Sequence, residues 1–236
     1  MSGQNFGFAH LWAQGDAISH AVAILLLLMS IAAWYVILSK GWQHFRLRRH
    51  ATTIEHFWQA PSLDEALALL DRHSAETPHA AVARRGQQAA GQLARQASGT
   101  HAPVSFGHVQ NASEFLTRAL RQGMLQGMAR LEGGLTVLAS VGSTAPFVGL
   151  FGTVWGIYHA LLRIGSEGAS GVEQIAAPVG EALVMTALGL AVAIPAVLAY
   201  NTLTRANRIV AAELDAFAHD LHAQLLAGPQ PAKGVA

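Results

Sequence analysis

Residues 133–162 read GGLTVLASVGSTAPFVGLFGTVWGIYHALL, and none of these 30 positions is Asp, Glu, Lys or Arg. A helix crosses a bilayer with ~20 mostly apolar residues, so the run is long enough to span one. Backbone groups in lipid must find their hydrogen bonds within the segment, which makes such a span a helix. Two further runs share the pattern. Between Asp16 and Lys40 lie 23 residues without a formal charge, and between Glu173 and Arg205 lie 31, broken only by Glu181. The whole chain of 236 residues is 52% apolar and only 12% charged. A soluble domain carries about 25% charged residues, so disorder and a simple water-soluble fold are both excluded.

These patterns predict an all-α integral membrane protein with three transmembrane helices, at 18–38, 134–158 and 176–200. Segment 1–17 lies outside, 39–133 forms a cytoplasmic helical domain, 159–175 is a short outer loop, and 201–236 is a cytoplasmic helix and tail. Orientation follows from basic residues, which mark the cytoplasmic side. Lys40, Arg46, Arg48 and Arg49 follow the first span, Arg118, Arg121 and Arg130 precede the second, and Arg205 and Arg208 follow the third. The first run is a retained anchor rather than a secretory signal, because its basic residues come after it. Trp34, Tyr35, Trp42, Trp155, Tyr158 and Tyr200 sit at span ends, where aromatic belts form. Phe6, Phe8, Leu11 and Trp12 either lie along the outer interface or belong to a loose tail.

The soluble parts also read as helices. Ser62 and Glu65 form a capping box, and Thr77-Pro78 is a cap followed by proline at the first helical position. Residues 98–107 read as a loop. A stripe through Leu116, Leu120, Met124, Met128, Leu131 and Leu135 has helical spacing that continues straight into the second span. Val210, Leu214, Phe217, Leu221 and Leu225 extend the third span in the same way, and Gly228–Ala236 reads as a frayed end.

The three spans differ in texture. The first is bulky, while the second carries Gly142, Gly149, Gly152 and Gly156 and the third carries Gly180 and Gly189. Small residues let helices approach closely, which puts spans two and three in an inner layer and span one against lipid. Pro146 inside the second span removes a backbone donor and is a site for a kink. Glu181 is costly within a bilayer, and such carboxylates face a bundle interior or a water path. The alternative is that Pro178 starts the helix, with Glu181 in the first turn as a dipole cap. Thr153 and Thr186 are either functional hydroxyls or simply bonded to their own i−4 carbonyls. The Lys40, Arg46, Arg48 and Arg49 cluster either meets acidic lipid headgroups or only sets topology.

Other chemistry lacks support. There is no cysteine, so thiolate metal sites and disulfides are excluded. Asp215, His219 and His222 share a helix face, but an exposed amphipathic surface explains them and no metal is expected. No hydrolase, P-loop or zinc-protease pattern occurs. A net charge of +1 gives no electrostatic case for nucleic acid.

Two stretches carry a resemblance: Gly142-Ser-Thr-Ala-Pro-Phe-Val-Gly-Leu-Phe-Gly-Thr-Val-Trp-Gly156, and Pro178-Val-Gly-Glu-Ala-Leu-Val-Met-Thr-Ala-Leu-Gly-Leu-Ala-Val-Ala-Ile-Pro-Ala-Val-Leu-Ala-Tyr-Asn201. They resemble the signature of the MotA/TolQ/ExbB proton-channel family. The resemblance implies a non-enzymatic channel subunit of the bacterial inner membrane with a periplasmic N-terminus. It implies a homopentamer whose pore holds ExbD helices, and the use of the proton gradient to drive TonB-dependent uptake of iron-siderophores or haem. Protons are then cargo, with no cofactor. By the same resemblance Glu181, Thr153 and Thr186 line the proton path. The wording around Glu181 and Pro146 leans to the branch serving TonB. The alternatives are the branch that serves TolA and envelope integrity, and a passive membrane scaffold.

Overall fold

The computed structural model describes residues 16–49, 51–74, 77–98, 106–167 and 172–227, with backbone alone at 48–49, 51–53, 73–74, 97–98, 106–110, 163–164, 166–167, 172–178 and 181. Expectations for Phe6, Phe8, Leu11, Trp12 and Gly228–Ala236 lie outside the described residues. Among the described residues every regular element is helical: α1 Ala17–Arg49, α2 Ala51–Gln59, α3 Leu63–Ser74, α4 Pro78–Ser98, α5 Phe106–Glu132, α6 Leu135–Glu167 and α7 Val172–Ala227. Three helical stretches, Ala17–Leu47, Asn111–Leu162 and Ala182–Ala227, are long and apolar enough to cross a membrane. The chain divides into two compact units, one of residues 1–39 and 134–203, the other of 40–133 and 204–236.

In the first unit, α1, α6 and α7 share one apolar core. Val22, Leu26 and Val36 of α1 meet Leu138 and Val141 of α6 and Ala193 and Ala196 of α7. The remaining faces are also apolar. Leu27, Leu28 and Ile31 of α1 are exposed, Phe147 of α6 is 71% exposed, and Leu198 of α7 is 63% exposed. Apolar surface on several sides of one bundle is stable only against lipid or another protein.

The α6–α7 contact is backbone against backbone. A Cβ on Gly149 would lie 2.6 Å from the Met185 carbonyl oxygen and 3.0 Å from Gly189 Cα. A Cβ on Gly189 would lie 2.7 Å from the Ala145 carbonyl oxygen. Farther along α6, Gly152 faces Val22 and Met185, with Val22 Cγ1 2.9 Å from where its Cβ would stand, and Gly156 faces Ala182. Gly149, Gly152 and Gly156 thus all stand where α6 comes close to a neighbouring helix, Gly152 against α1 as well as α7. The helix α6 runs unbroken through Pro146.

In the second unit, α2, α3, α4, α5 and the far part of α7 surround Phe57, Leu70, Val82, Leu120, Leu214 and Leu221. The Ser62 half of the capping box and the Thr77 cap form: Glu65 N–H donates to Ser62 Oγ at 3.3 Å, and Ala80 N–H donates to Thr77 Oγ1 at 3.4 Å. The helices α4 and α5 approach closely at Gly123, where a Cβ would stand 2.9 Å from Val82 Cα. One expectation is corrected. The apolar stripe does not run straight into the second span, because α5 ends at Glu132 and α6 begins at Leu135. Gly134 has φ 87°, a left-handed conformation that glycine alone adopts cheaply. Its carbonyl accepts from Val137 and Leu138 at 3.1 and 3.3 Å, opening the new helix.

His79 is 5% exposed, with its ring against Phe217 at 5.3 Å. Burial pushes its imidazole down to about 4 from 6.5. The unfolded chain then takes up a proton below about pH 6.5 that the folded state refuses until about pH 4. Stability is therefore complete above pH 6.5 and falls as pH drops through this window, by about 3 kcal/mol in all. His79→Gln should flatten that slope. Denaturation midpoints of the detergent-solubilised protein between pH 7.5 and 4.5, wild type against variant, measure it; equal slopes would assign the pH dependence elsewhere.

Gly149→Ala should lower stability by about 1–3 kcal/mol, because its methyl meets a backbone carbonyl that cannot move aside alone. Gly41→Ala is the control: nothing lies within 4 Å of its Cβ position in α1. There the loss of glycine's backbone freedom should stabilise by about 0.5–1 kcal/mol. Thermal melting of both variants decides, and a harmless Gly149→Ala would remove the close-packing account.

Candidate functional site: a hydroxyl pair between two glycine-packed helices

Close approach at Gly149 and Gly189 brings the polar residues of α6 and α7 within reach of one another. Thr153 lies one turn beyond Gly149 and is 5% exposed. Its Oγ1 is 3.1 Å from the Gly149 carbonyl and 3.2 Å from the Ala182 carbonyl. The Thr186 hydroxyl is hydrogen-bonded to it directly. A threonine hydroxyl has one hydrogen and two acceptor sites, whereas carbonyls only accept. The Thr153 oxygen thus has two carbonyls and a second hydroxyl within reach, and either hydroxyl can be the donor in the Thr153–Thr186 bond. Thr186 is half-buried, leaving part of its surface open. Thr153 does bond its own i−4 carbonyl, and the same oxygen also reaches the partner helix.

Glu181 immediately precedes Ala182, whose carbonyl faces Thr153. Its backbone is helical and its side chain lies outside the described residues. The helix opens at Val172, not at Pro178. At 3.6 residues per turn Glu181 thus stands more than two turns inside α7, which removes the basis for a first-turn cap.

The basic cluster divides. Lys40 Nζ donates to the Arg130 carbonyl at 2.7 Å and to Gln43 Oε1 at 3.0 Å. An ammonium on a carbonyl in the last turn of α5 satisfies an acceptor that the helix leaves open and suits the negative end of its dipole. Arg46 is exposed on α1, and the side chains of Arg48 and Arg49 lie outside the described residues. Among the described residues no group of His, Asp and Glu is arranged to hold a metal ion.

Sequence reasoning did not find the contact that ties α1 to the far end of α6. Asp16 caps α1, its Oδ1 accepting from Ser19 N–H at 2.9 Å. Its Oδ2 accepts from Trp155 Nε1–H at 2.7 Å, and the His159 ring lies 4.3 Å from the Trp155 ring. Burial works to raise the Asp16 carboxyl, but the Ser19 and Trp155 hydrogen bonds and nearby His159 carry it down to about 2. The cap was legible as Asp-x-x-Ser before an apolar run. The tryptophan partner, 139 residues away, was not.

The family model of the MotA/TolQ/ExbB proton channel family matches residues 74–216, from α3 through most of α7. The chain belongs to the MotA/TolQ/ExbB proton channel family. Within it, the chain is 44% identical over 223 residues to the biopolymer transport protein ExbB of Xanthomonas campestris pv. campestris, covering 92% of this chain and 87% of that one. It is 41% identical over 213 residues to the biopolymer transport protein ExbB of Neisseria meningitidis serogroup A, covering 90% and 94%. It is 30% identical over 205 residues to the Tol-Pal system protein TolQ of Haemophilus influenzae, covering 86% of each. Membership of this channel family gives the three apolar helices their setting: this is a multi-pass membrane protein.

Proposed function

We propose that the chain is an ExbB-type proton-channel subunit that helps convert the proton gradient into biopolymer transport. The observation that carries this reading is the Thr153–Thr186 hydroxyl pair between two glycine-packed helices, one of which also carries Glu181 in its sequence. Hydroxyls are both donor and acceptor, so such a pair can pass a proton where hydrocarbon cannot. Glu181 supplies the group that takes and releases it, as intramembrane carboxylates do in proton relays. No covalent chemistry is needed, and protons are the cargo. Relatives named ExbB at 41–44% identity over about 90% of the chain, against a TolQ at 30% over 86% of it, favour the ExbB branch over TolA-linked envelope maintenance.

In this reading the protein sits in the bacterial inner membrane, with its N-terminus periplasmic and its C-terminus cytoplasmic. Copies assemble into a ring, expected to be a pentamer, with α6 and α7 inward and α1 against lipid. ExbD contributes the helix that receives protons in the pore, and TonB carries the work onward to iron-siderophore or haem receptors. Moving one charge through 100 mV yields about 2.3 kcal/mol, which sets the work available per proton.

Glu181→Gln keeps size and hydrogen bonding but cannot titrate. It should assemble normally and reduce TonB-dependent uptake to background. Thr153→Val and Thr186→Val should each cost roughly two- to tenfold, about one ordinary hydrogen bond, and Thr153→Ser should retain activity. Uptake of labelled siderophore at matched expression tests all four. Full uptake by Glu181→Gln would end the proton reading. Co-purification of TolA in place of TonB would move the protein to the other branch.

Phospholipid contact is expected at Arg46, Arg48 and Arg49, each charge contributing about 1 kcal/mol near an anionic leaflet. Native mass spectrometry should show less retained anionic lipid in Arg46→Gln. Lys40→Gln should instead lower the melting temperature, since Lys40 is spent on the end of α5. Unchanged lipid in Arg46→Gln would assign the cluster to topology alone.

A further inference from the structure

Thr204 and Asn207 stand almost one turn apart on α7, in the second unit, and α1 brings His44 against Asn207. Asn207 is 4% exposed, and its Oδ1 lies 2.9 Å from His44 Nε2. The other end of the amide has no such contact. Thr204 Oγ1 and Asn207 Nδ2 are both buried, and neither has a hydrogen-bond partner among the described residues.

For Thr204 this is unusual within the same molecule. Helical threonines commonly bond the carbonyl one turn back. Thr117, Thr144, Thr153 and Thr202 all do so, at 2.7–3.1 Å. Thr202, two residues away on the same helix, takes this option and Thr204 does not. A buried donor or acceptor left unmade forfeits its hydration without return, and two such groups three residues apart on one helix call for a shared partner. Residues three apart on a helix have Cβ atoms ~5–6 Å apart, a span one water can bridge.

We propose that one internal water bridges Thr204 Oγ1 and the Asn207 amide, completing with His44 a polar latch between α1 and α7. A buried water typically makes two to four hydrogen bonds to polar groups that would otherwise go unpaired. Here it accepts from Asn207 Nδ2–H and exchanges a hydrogen bond with the Thr204 hydroxyl. Water also suits the opposite orientation of the amide, since it donates as readily as it accepts. The assignment stands apart from the proton-channel reading.

The sign of one substitution tests it. Thr204→Val has nearly the same shape and removes only the hydroxyl. With a bridging water it strips that water of a partner, and the melting temperature of the full-length protein in detergent should fall by about 2–6 °C. Thr204→Ser should restore the wild-type value. Asn207→Leu should also lower it, and the double variant should lose less than the sum, because both changes break one bridge. A density map of the full-length protein in nanodiscs that resolves ordered waters should show one within hydrogen-bond reach of both atoms. A Thr204→Val protein that melts at or above wild type would overturn the proposal, since it would mean the hydroxyl had been an orphan. So would a map placing Thr204 Oγ1 on the Tyr200 carbonyl, or a second chain's polar atom in the site. Should Thr204→Val fail to assemble, Thr204→Ser and the map decide.

Discussion

Gly149 and Gly189 bring two helix backbones so close that a methyl on either would meet a carbonyl oxygen. Within the first unit much depends on that approach. It lets Thr153 reach both its own helix and the Ala182 carbonyl of its neighbour, and it sets Thr186 against Thr153. It also confines the polar atoms to a seam whose surroundings are apolar. With larger side chains at the crossing, the same threonines would satisfy themselves locally, each on its own turn, and the two helices would share no polar contact. In lipid, where no hydrophobic force drives helices together, small residues supply the attraction by permitting close van der Waals contact.

The sequence exposed the spans because formal charge disappears for 23 to 31 residues at a time, broken once by Glu181, a signal that needs no partner to be read. The caps at Ser62 and Thr77 were legible for the same reason, being local. What escaped was of two kinds. The break at Gly133–Gly134 is invisible to apolar spacing, since Leu131 and Leu135 remain one turn apart whether or not the backbone between them is helical; only the sign of φ at Gly134 distinguishes the cases. The second kind is long-range pairing. Nothing near Asp16 names Trp155, nothing near Lys40 names the Arg130 carbonyl, and nothing near His44 names Asn207.

The candidate site was legible as a set of residues but not as an arrangement. Thr153 and Thr186 stood out as polar positions in apolar helices and through the family resemblance, and each had a self-satisfied alternative. In the structure the one oxygen of Thr153 meets a carbonyl of its own helix, a carbonyl of the next and a second hydroxyl. Glu181 stood out by its cost within a bilayer before the resemblance added to it. Its position follows from where α7 begins, and Val172 rather than Pro178 opens that helix.

Gly134 has a mechanical consequence. A continuous α-helix resists twisting, because turning one end means distorting every hydrogen bond between. The chain from α5 to α6 instead passes through a glycine whose φ of 87° belongs to neither helix. A twist imposed on α6 at the hydroxyl pair is therefore taken up by the two torsions of a single residue, a swivel at the end of the helix.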